Sequence, residues 1–292
     1  MKQPKVTILI PNYRTPELTK LCLRLIRKHT DPDLIDVIVV DNGSNDPSVE
    51  YLKSLSWITL LERKPEAEES PPLAHSKALN LGLEKTVTPY VLSIHTDTLV
   101  KRPDWLSVLL AEIEKSPDIA GVGSWKLEKP PRFAKKVWKL FEFMLRSFTY
   151  RMTNNTEKLK TVRAQKRSGY YNLFQNGARD FNEETRDFFY LRSHCALYRT
   201  DLLKTFDLSF ATDNEPAGCG IHRFLLRKGY KMKFLSSQFL CRYLVHLNHA
   251  TMVLNPELAG KNKTVKKGGK RIKKELDRLN SKQILRDATL DR

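Results

Sequence analysis

No run of apolar residues in this chain approaches the roughly 18 that a membrane-crossing helix needs, although 40% of its 292 residues are hydrophobic. The N-terminal apolar run Val6–Ile10 is too short for the core of a secretory signal and ends at Pro11, so export is not expected. Cysteine is scarce and scattered: Cys22, Cys195, Cys219 and Cys241 form no CxxC pair. That spacing argues against a disulfide framework or a paired-cysteine zinc site and suits reduced thiols in a cytosolic protein. The segment after the first apolar run, Pro11-Asn12-Tyr13-Arg14, contains no glycine, which excludes a glycine-rich phosphate loop there.

Negative charge is also in short supply. Asp and Glu number 33 against 51 Lys and Arg, a net charge of +18. Residues 132–167 hold eleven basic residues against Glu142 and Glu157, a balance of +9, and residues 261–292 hold twelve against four, a balance of +8. Together they carry +17 of the +18, so the remainder of the chain is nearly neutral. The basicity is local and implies an anionic partner for those two segments.

What is present, over the first 125 residues, is a strand–helix alternation. Lys5–Ile10, Asp36–Val40, Trp57–Leu61, Tyr90–Ile94 and Ile119–Gly123 read as strands, rich in β-branched residues and bounded by turn formers. Between them Pro16–His29, Pro47–Leu55, Leu73–Glu84 and Pro103–Lys115 read as helices, the first with Leu18, Leu21, Cys22, Leu25 and Ile26 on one face. Such alternation predicts an α/β fold with a mainly parallel central sheet and helices on both faces. In such folds the ligand site lies beyond the carboxyl ends of the strands, here Pro11–Tyr13, Asp41–Asp46 and His95–Thr98. Farther on, Phe133–Phe148 predicts a helix with Phe133, Val137, Leu140, Phe141, Met144, Leu145 and Phe148 opposite Lys135, Lys136, Lys139 and Arg146. A polar stretch follows to about residue 187. Then come Phe188–Tyr198, a helical start at Thr200–Thr205, a loop at Ala211–Cys219, a helix at Ile221–Lys228, and strands at Lys231–Leu235 and Phe239–His246. The expected organisation is a catalytic domain over residues 1–258 with a basic amphipathic insertion at about 130–187, and a Lys-rich tail over 259–292.

Four motifs in order carry a resemblance. They are Pro11-Asn12-Tyr13, then Asp41-Asn42-Gly43-Ser44-Asn45-Asp46, then Leu79-Asn80-Leu81-Gly82, then His95-Thr96-Asp97-Thr98. Their sequence and spacing resemble the family 2 glycosyltransferases of the GT-A fold, clearly over residues 5–125 and more weakly over 188–250. The resemblance implies transfer of a sugar from a nucleotide-diphosphate donor to an acceptor hydroxyl by inverting displacement, assisted by Mn²⁺ or Mg²⁺. It places Asp41 against the base, with Pro11, Asn12, Tyr13, Asn42, Asn80, His95 and Thr96 around the donor and His75 and Lys77 near the nucleotide.

The metal-binding acidic signature of the family survives here only in its last position, Asp97, since His95 and Thr96 stand before it. A histidine beyond the last strand completes the metal site in many relatives, which nominates His249 first and His246 second. An acidic pair normally precedes the helix ending here in Gly229-Tyr230, but Ala217 and Gly218 occupy those positions. Glu215 is then the first choice of catalytic base and Asp213 the second. Ser193–Arg199 resembles the segment that lines the acceptor pocket.

The helix at 133–148 combines a wide apolar face with a cationic one, the pattern of a helix lying on anionic lipid or packing on its own domain. With the basic tail it points to a glycan or glycolipid acceptor at the cytoplasmic face of the inner membrane, and away from nucleic acid. A catalytically inactive relative serving as a membrane or glycan binding module, and a sugar nucleotidyltransferase, are the competing readings.

Overall fold

The strand at Val6–Asn12 (β1) shows how the sequence builds two layers. Val6, Ile8 and Ile10 belong to one buried cluster and Leu9 to another, so alternate side chains feed opposite faces of the sheet. On the first face lie α1 (Pro16–His29) and α4 (Trp105–Ile113), and on the second α3 (Pro71–Lys85). Leu18, Leu21, Cys22, Leu25 and Ile26 of α1 are all buried, as their helical spacing requires. This computed structural model describes residues 3–128, 133–163, 178–179, 189–211, 215–248, 250, 253 and 264–292.

The other strands of the main sheet are β2 (Ile35–Asp41), β3 (Thr59–Glu62), β4 (Tyr90–Ile94), β6 (Ile119–Gly123), β7 (Ala178–Arg179), β8 (Cys195–Arg199) and β9 (Lys231–Leu235). Their spatial order is β3-β2-β1-β4-β8-β6-β9-β7. The run β3-β2-β1-β4 is parallel, as is β6 with β9, while β8 runs antiparallel to both β4 and β6. The sheet is therefore mostly parallel within an α/β architecture. Gly123 makes the β6–β8 contact possible: a Cβ there would sit 2.3 Å from the Cys195 carbonyl oxygen.

The expected strand at Phe239–His246 is corrected. Ser236 caps a short helix by accepting from the Phe239 N–H, giving α8 (Ser237–Leu240), and only Leu244–His246 (β10) is extended. β10 pairs antiparallel with β5 (Thr98–Val100), a strand too short to stand out in the sequence.

After β8 come α6 (Thr200–Thr205) and α7 (Cys219–Arg227). The basic C-terminal segment forms α9 (Thr264–Arg278) and α10 (Ser281–Arg286), whose Ile272 and Ile284 are buried in the same cluster as α1. Arg24 of α1, only 2% exposed, forks onto the Asp291 carboxylate and donates to the Ile284 carbonyl at 3.0 Å. In contrast, α5 (Phe133–Met152) leaves its apolar face bare: Trp138 is 66% exposed, Phe141 58%, Met144 62% and Phe148 63%. No helix among the described residues is long and apolar enough to cross a membrane.

Candidate active site

Register alone brings the decisive residues together. Because β4 and β8 are antiparallel with Ile94 opposite Cys195, the residue after β4 meets the residues before β8: His95 faces Ser193 and His194. Because β10 pairs with β5 so that His246 lies opposite Thr98, His246 arrives beside Asp97, and the Leu247 N–H donates to the Asp97 carbonyl at 2.9 Å. The first turns of α3 add His75, whose ring meets that of His95 at 4.7 Å. His194 stacks on His246 at 4.6 Å.

The result is a carboxylate surrounded by imidazoles. Asp97 Oδ1 lies 3.2 Å from His246 Nε2 and 3.8 Å from His95 Nδ1, and ligand atoms of all three residues lie within 4.8 Å of one another. Asp97 is 6% exposed, yet its Oδ1 makes no hydrogen bond, and neither does the buried His246 Nδ1. Burial pushes the Asp97 carboxyl up, but His246 and His95 facing it more than offset that and hold it below the ordinary carboxylate range. Burial depresses His75 to about 4 and takes His95 and His194 well below their usual value, so these rings are neutral and able to offer lone pairs. An orphaned buried carboxylate oxygen beside the His95 and His246 imidazoles is a donor set that suits a divalent cation. Of the expected metal residues, Asp97 and His246 meet here, joined by His95, which the sequence assigned to the donor; His249 lies outside the described residues.

The Asp41 loop is a second polar centre. Asp41 accepts from Asn12 Nδ2 at 2.7 Å, from the Gly43 and Ser44 N–H groups at 3.0 Å each, and from Ser44 Oγ at 2.5 Å. A left-handed φ of +71° at Gly43 aims those N–H groups at the carboxylate. Asn12 is fully buried and also bonds Ser48 Oγ and Thr19 Oγ1, so both ends of its amide serve to hold this loop. Asn42 accepts from Arg63, and Arg63 and Lys77 share the Glu69 carboxylate. Burial raises the Glu69 carboxyl, but hydrogen bonds from Arg63 and Lys77 prevail and set it at about 2. Asp41, Gly43, Asp46, Glu62, Arg63 and Lys64 border an open pocket at this end of the sheet. Arg63 and Glu69 carried no sequence signal, since a lone Arg and Glu in a loop are usually solvated.

The remaining expected residues spread out. Asn80 ties α3 to the Ser209–Phe210 turn through both amide ends, at 2.6 Å each, and buried Thr96 bonds Thr15 Oγ1. Pro11 and Tyr13 are half-buried at the end of β1 and just beyond it, with the Arg14 guanidinium against the Tyr13 ring. Glu215 pairs with Arg223 of α7, and Asp213 lies outside the described residues. Gly218 has φ +82°, a left-handed conformation that explains why an acidic side chain is absent from that position.

A model of Glycosyl transferase family 2 matches residues 7–206, the span containing β1 through β8 and with them Asp97. The chain belongs to glycosyl transferase family 2. As a family 2 member it is a glycosyltransferase, and solved structures of the GT-A type are similar to it. Mannosyltransferase PcManGT from Pyrobaculum calidifontis, in complex with GDP-Man and Mn²⁺, shares a TM-score of 0.55 at 17% identity, over 98% of this chain and 71% of that one. TarS 1-349 from S. aureus in complex with UDP-GlcNAc shares a TM-score of 0.53 at 17% identity, over 82% of this family 2 chain and 58% of that one. No curated protein matches the chain.

Proposed function

We propose that this family 2 glycosyltransferase moves a sugar from a nucleotide-diphosphate donor to an acceptor hydroxyl on a lipid-linked or cell-envelope glycan, by metal-assisted inverting displacement. The observation that carries the reading is the convergence of Asp97, His246 and His95 just past the end of β4, at the same end of the parallel strands as the Asp41 loop that follows β2. In this reading the pocket edged by Asp41 and Arg63 holds the nucleotide, with Pro11 and Tyr13 walling the base and Asn12 and Ser44 fixing the loop. Asp41 itself is saturated by the loop, so its main part is to shape that wall.

Asp97 and His246, with His95, would hold a divalent ion. When bound, such an ion neutralises the diphosphate as the glycosidic bond breaks. The chain's own residues orient the donor so that its anomeric carbon faces the acceptor hydroxyl. A carboxylate takes the proton as that hydroxyl attacks; Glu215 serves if it turns from Arg223 to the acceptor, and Asp213 is its alternative. Support for a membrane-borne acceptor comes from α5, whose exposed Trp138, Phe141, Met144 and Phe148 lie in the more basic of the two charged segments. Docking there would place the enzyme on the cytoplasmic face of an anionic membrane.

A thermal-shift panel of UDP, GDP, dTDP and CMP, each with Mn²⁺, Mg²⁺ or EDTA, tests the reading. One nucleotide should raise the melting temperature in the presence of metal. No shift with any nucleotide would favour a binding module without transferase activity.

A further inference from the structure

The orphaned atoms around Asp97 specify more than a place for a cation; they specify its ligands. The His95 ring is held through one nitrogen. Its Nε2 lies 2.9 Å from Ser193 Oγ, and the same Oγ lies 3.1 Å from His75 Nε2. A serine hydroxyl has one proton to give, so it donates to one ring and accepts from the other. If His95 carries its proton on Nε2, it donates to Ser193, Ser193 donates to His75, and every partner is satisfied. His95 Nδ1 is then a bare lone pair 3.8 Å from Asp97 Oδ1, too far for a hydrogen bond and aimed into the same space. His246 Nε2 approaches that oxygen from another side at 3.2 Å, again without a hydrogen bond to it.

Resting on the transferase reading above, we propose that His95 is a third metal ligand, that Ser193 is the positioning residue that fixes its Nδ1 toward the ion, and that this site discriminates against Mg²⁺. The physical reason lies in the donor set. Mg²⁺ is small and hard, favours oxygen ligands and gives up its water reluctantly. Two imidazoles and a single carboxylate offer one hard charged ligand where paired carboxylates would offer two. Mn²⁺, though also hard, is a transition ion that tolerates imidazole better than Mg²⁺ does, and Co²⁺, farther along the divalent series, accepts nitrogen more readily still. The Ser193–His75 relay belongs to the site because outer partners that hold a metal-bound imidazole in one tautomer typically change affinity by about 10–100-fold.

The test uses the full chain and the ions alone. Bound Mn²⁺ is measured by loss of the free-ion electron paramagnetic resonance signal, with Mg²⁺ as competitor, on wild type, His95→Ala, His95→Asp and Ser193→Ala. Wild type should bind one Mn²⁺ that Mg²⁺ in large excess fails to displace. His95→Ala should weaken Mn²⁺ by about 10-fold or more, and Ser193→Ala by a similar factor. His95→Asp, which keeps a ligand but makes it oxygen, should bind Mn²⁺ that Mg²⁺ now displaces, and it serves as the folded control. Co²⁺ absorption bands, which report ligand type, should shift in His95→Asp and in Ser193→Ala; an unchanged spectrum in both would mean that neither residue governs the ion's surroundings. Ready displacement of Mn²⁺ by Mg²⁺ in wild type, or undiminished Mn²⁺ binding in His95→Ala, overturns the proposal. A nucleotide-induced melting shift in a wild type that binds no Mn²⁺ would leave the transferase reading standing while the metal proposal fails; loss of every nucleotide shift is the separate failure of that reading.

Discussion

Arg24 and Asp291 lie 267 positions apart and meet as a forked ion pair, with the Tyr51 hydroxyl donating to the same carboxylate at 2.8 Å. This fixes the basic C-terminal helices to α1, inside the catalytic body. Removing one partner of a buried pair strands the other, at a cost of about 3–5 kcal/mol. Asp291 is 24% exposed, so Asp291→Ala should lose about 3 kcal/mol, the lower end of that range. Urea unfolding checks it, and a loss below about 1 kcal/mol, the level of a surface pair, would show that the pair is in effect a solvated one.

Asp97→Asn removes the charge at the centre of the imidazole cluster while keeping its volume. The metal-dependent part of any nucleotide-induced melting shift should vanish, and transfer should slow by about 100-fold or more, as expected when several kcal/mol of charge stabilisation are lost. Nucleotide binding measured in EDTA should be unchanged. A variant as active as wild type would move the chemistry away from Asp97.

Glu215→Gln tests the base. Loss of a positioned proton acceptor lowers kcat by about 10²–10⁴-fold with little change in KM. A change in KM alone would mark Glu215 as a loop anchor for Arg223, and Asp213→Asn would then be the variant to assay.

His222 gives the chain an acid sensitivity of its own. It is 1% exposed, burial lowers it to about 3, and its Nδ1 accepts from the Leu191 N–H at 3.4 Å. Below pH 6.5 the unfolded chain takes up a proton that the folded chain refuses, so stability falls with pH from about 6.5 down to about 3 and the loss is complete below that. Between pH 7 and pH 5 this residue alone should account for about 2 kcal/mol. Urea titrations at the two pH values should show a loss smaller by that amount in His222→Asn. Equal losses in the two proteins would assign the acid sensitivity to the His95 and His194 rings.

Replacing Trp138, Phe141, Met144 and Phe148 of α5 by serine should abolish co-sedimentation with anionic vesicles and leave the melting temperature nearly unchanged, since these side chains are all more than half exposed. A large drop in melting temperature would mean instead that the face is covered by protein.

Much of the fold was readable because both faces of β1, β2 and β4 are covered, so each strand appears as an unbroken apolar run such as Val-Ile-Val-Val in β2. β5 and β10 were not, because three residues each carry no period, and Ser236 turned part of an expected strand into helix. Asp97 was legible from its place after a strand. The grouping of His95 with it was not, since Ser193 and His246 arrive from about a hundred residues or more away through strand register.

The antiparallel β8 also sets an order in time. It is the strand that lies between β4 and β6, yet it leaves the ribosome more than seventy residues after β6 ends. Until Cys195–Arg199 is synthesised, the nascent chain holds the open edge of β4 and a β6 with neither of its partners, and nothing to join them. A polypeptide stalled or truncated before that strand carries every residue of the Asp41 loop and still cannot close its sheet, which leaves an unpaired edge of the kind that favours aggregation.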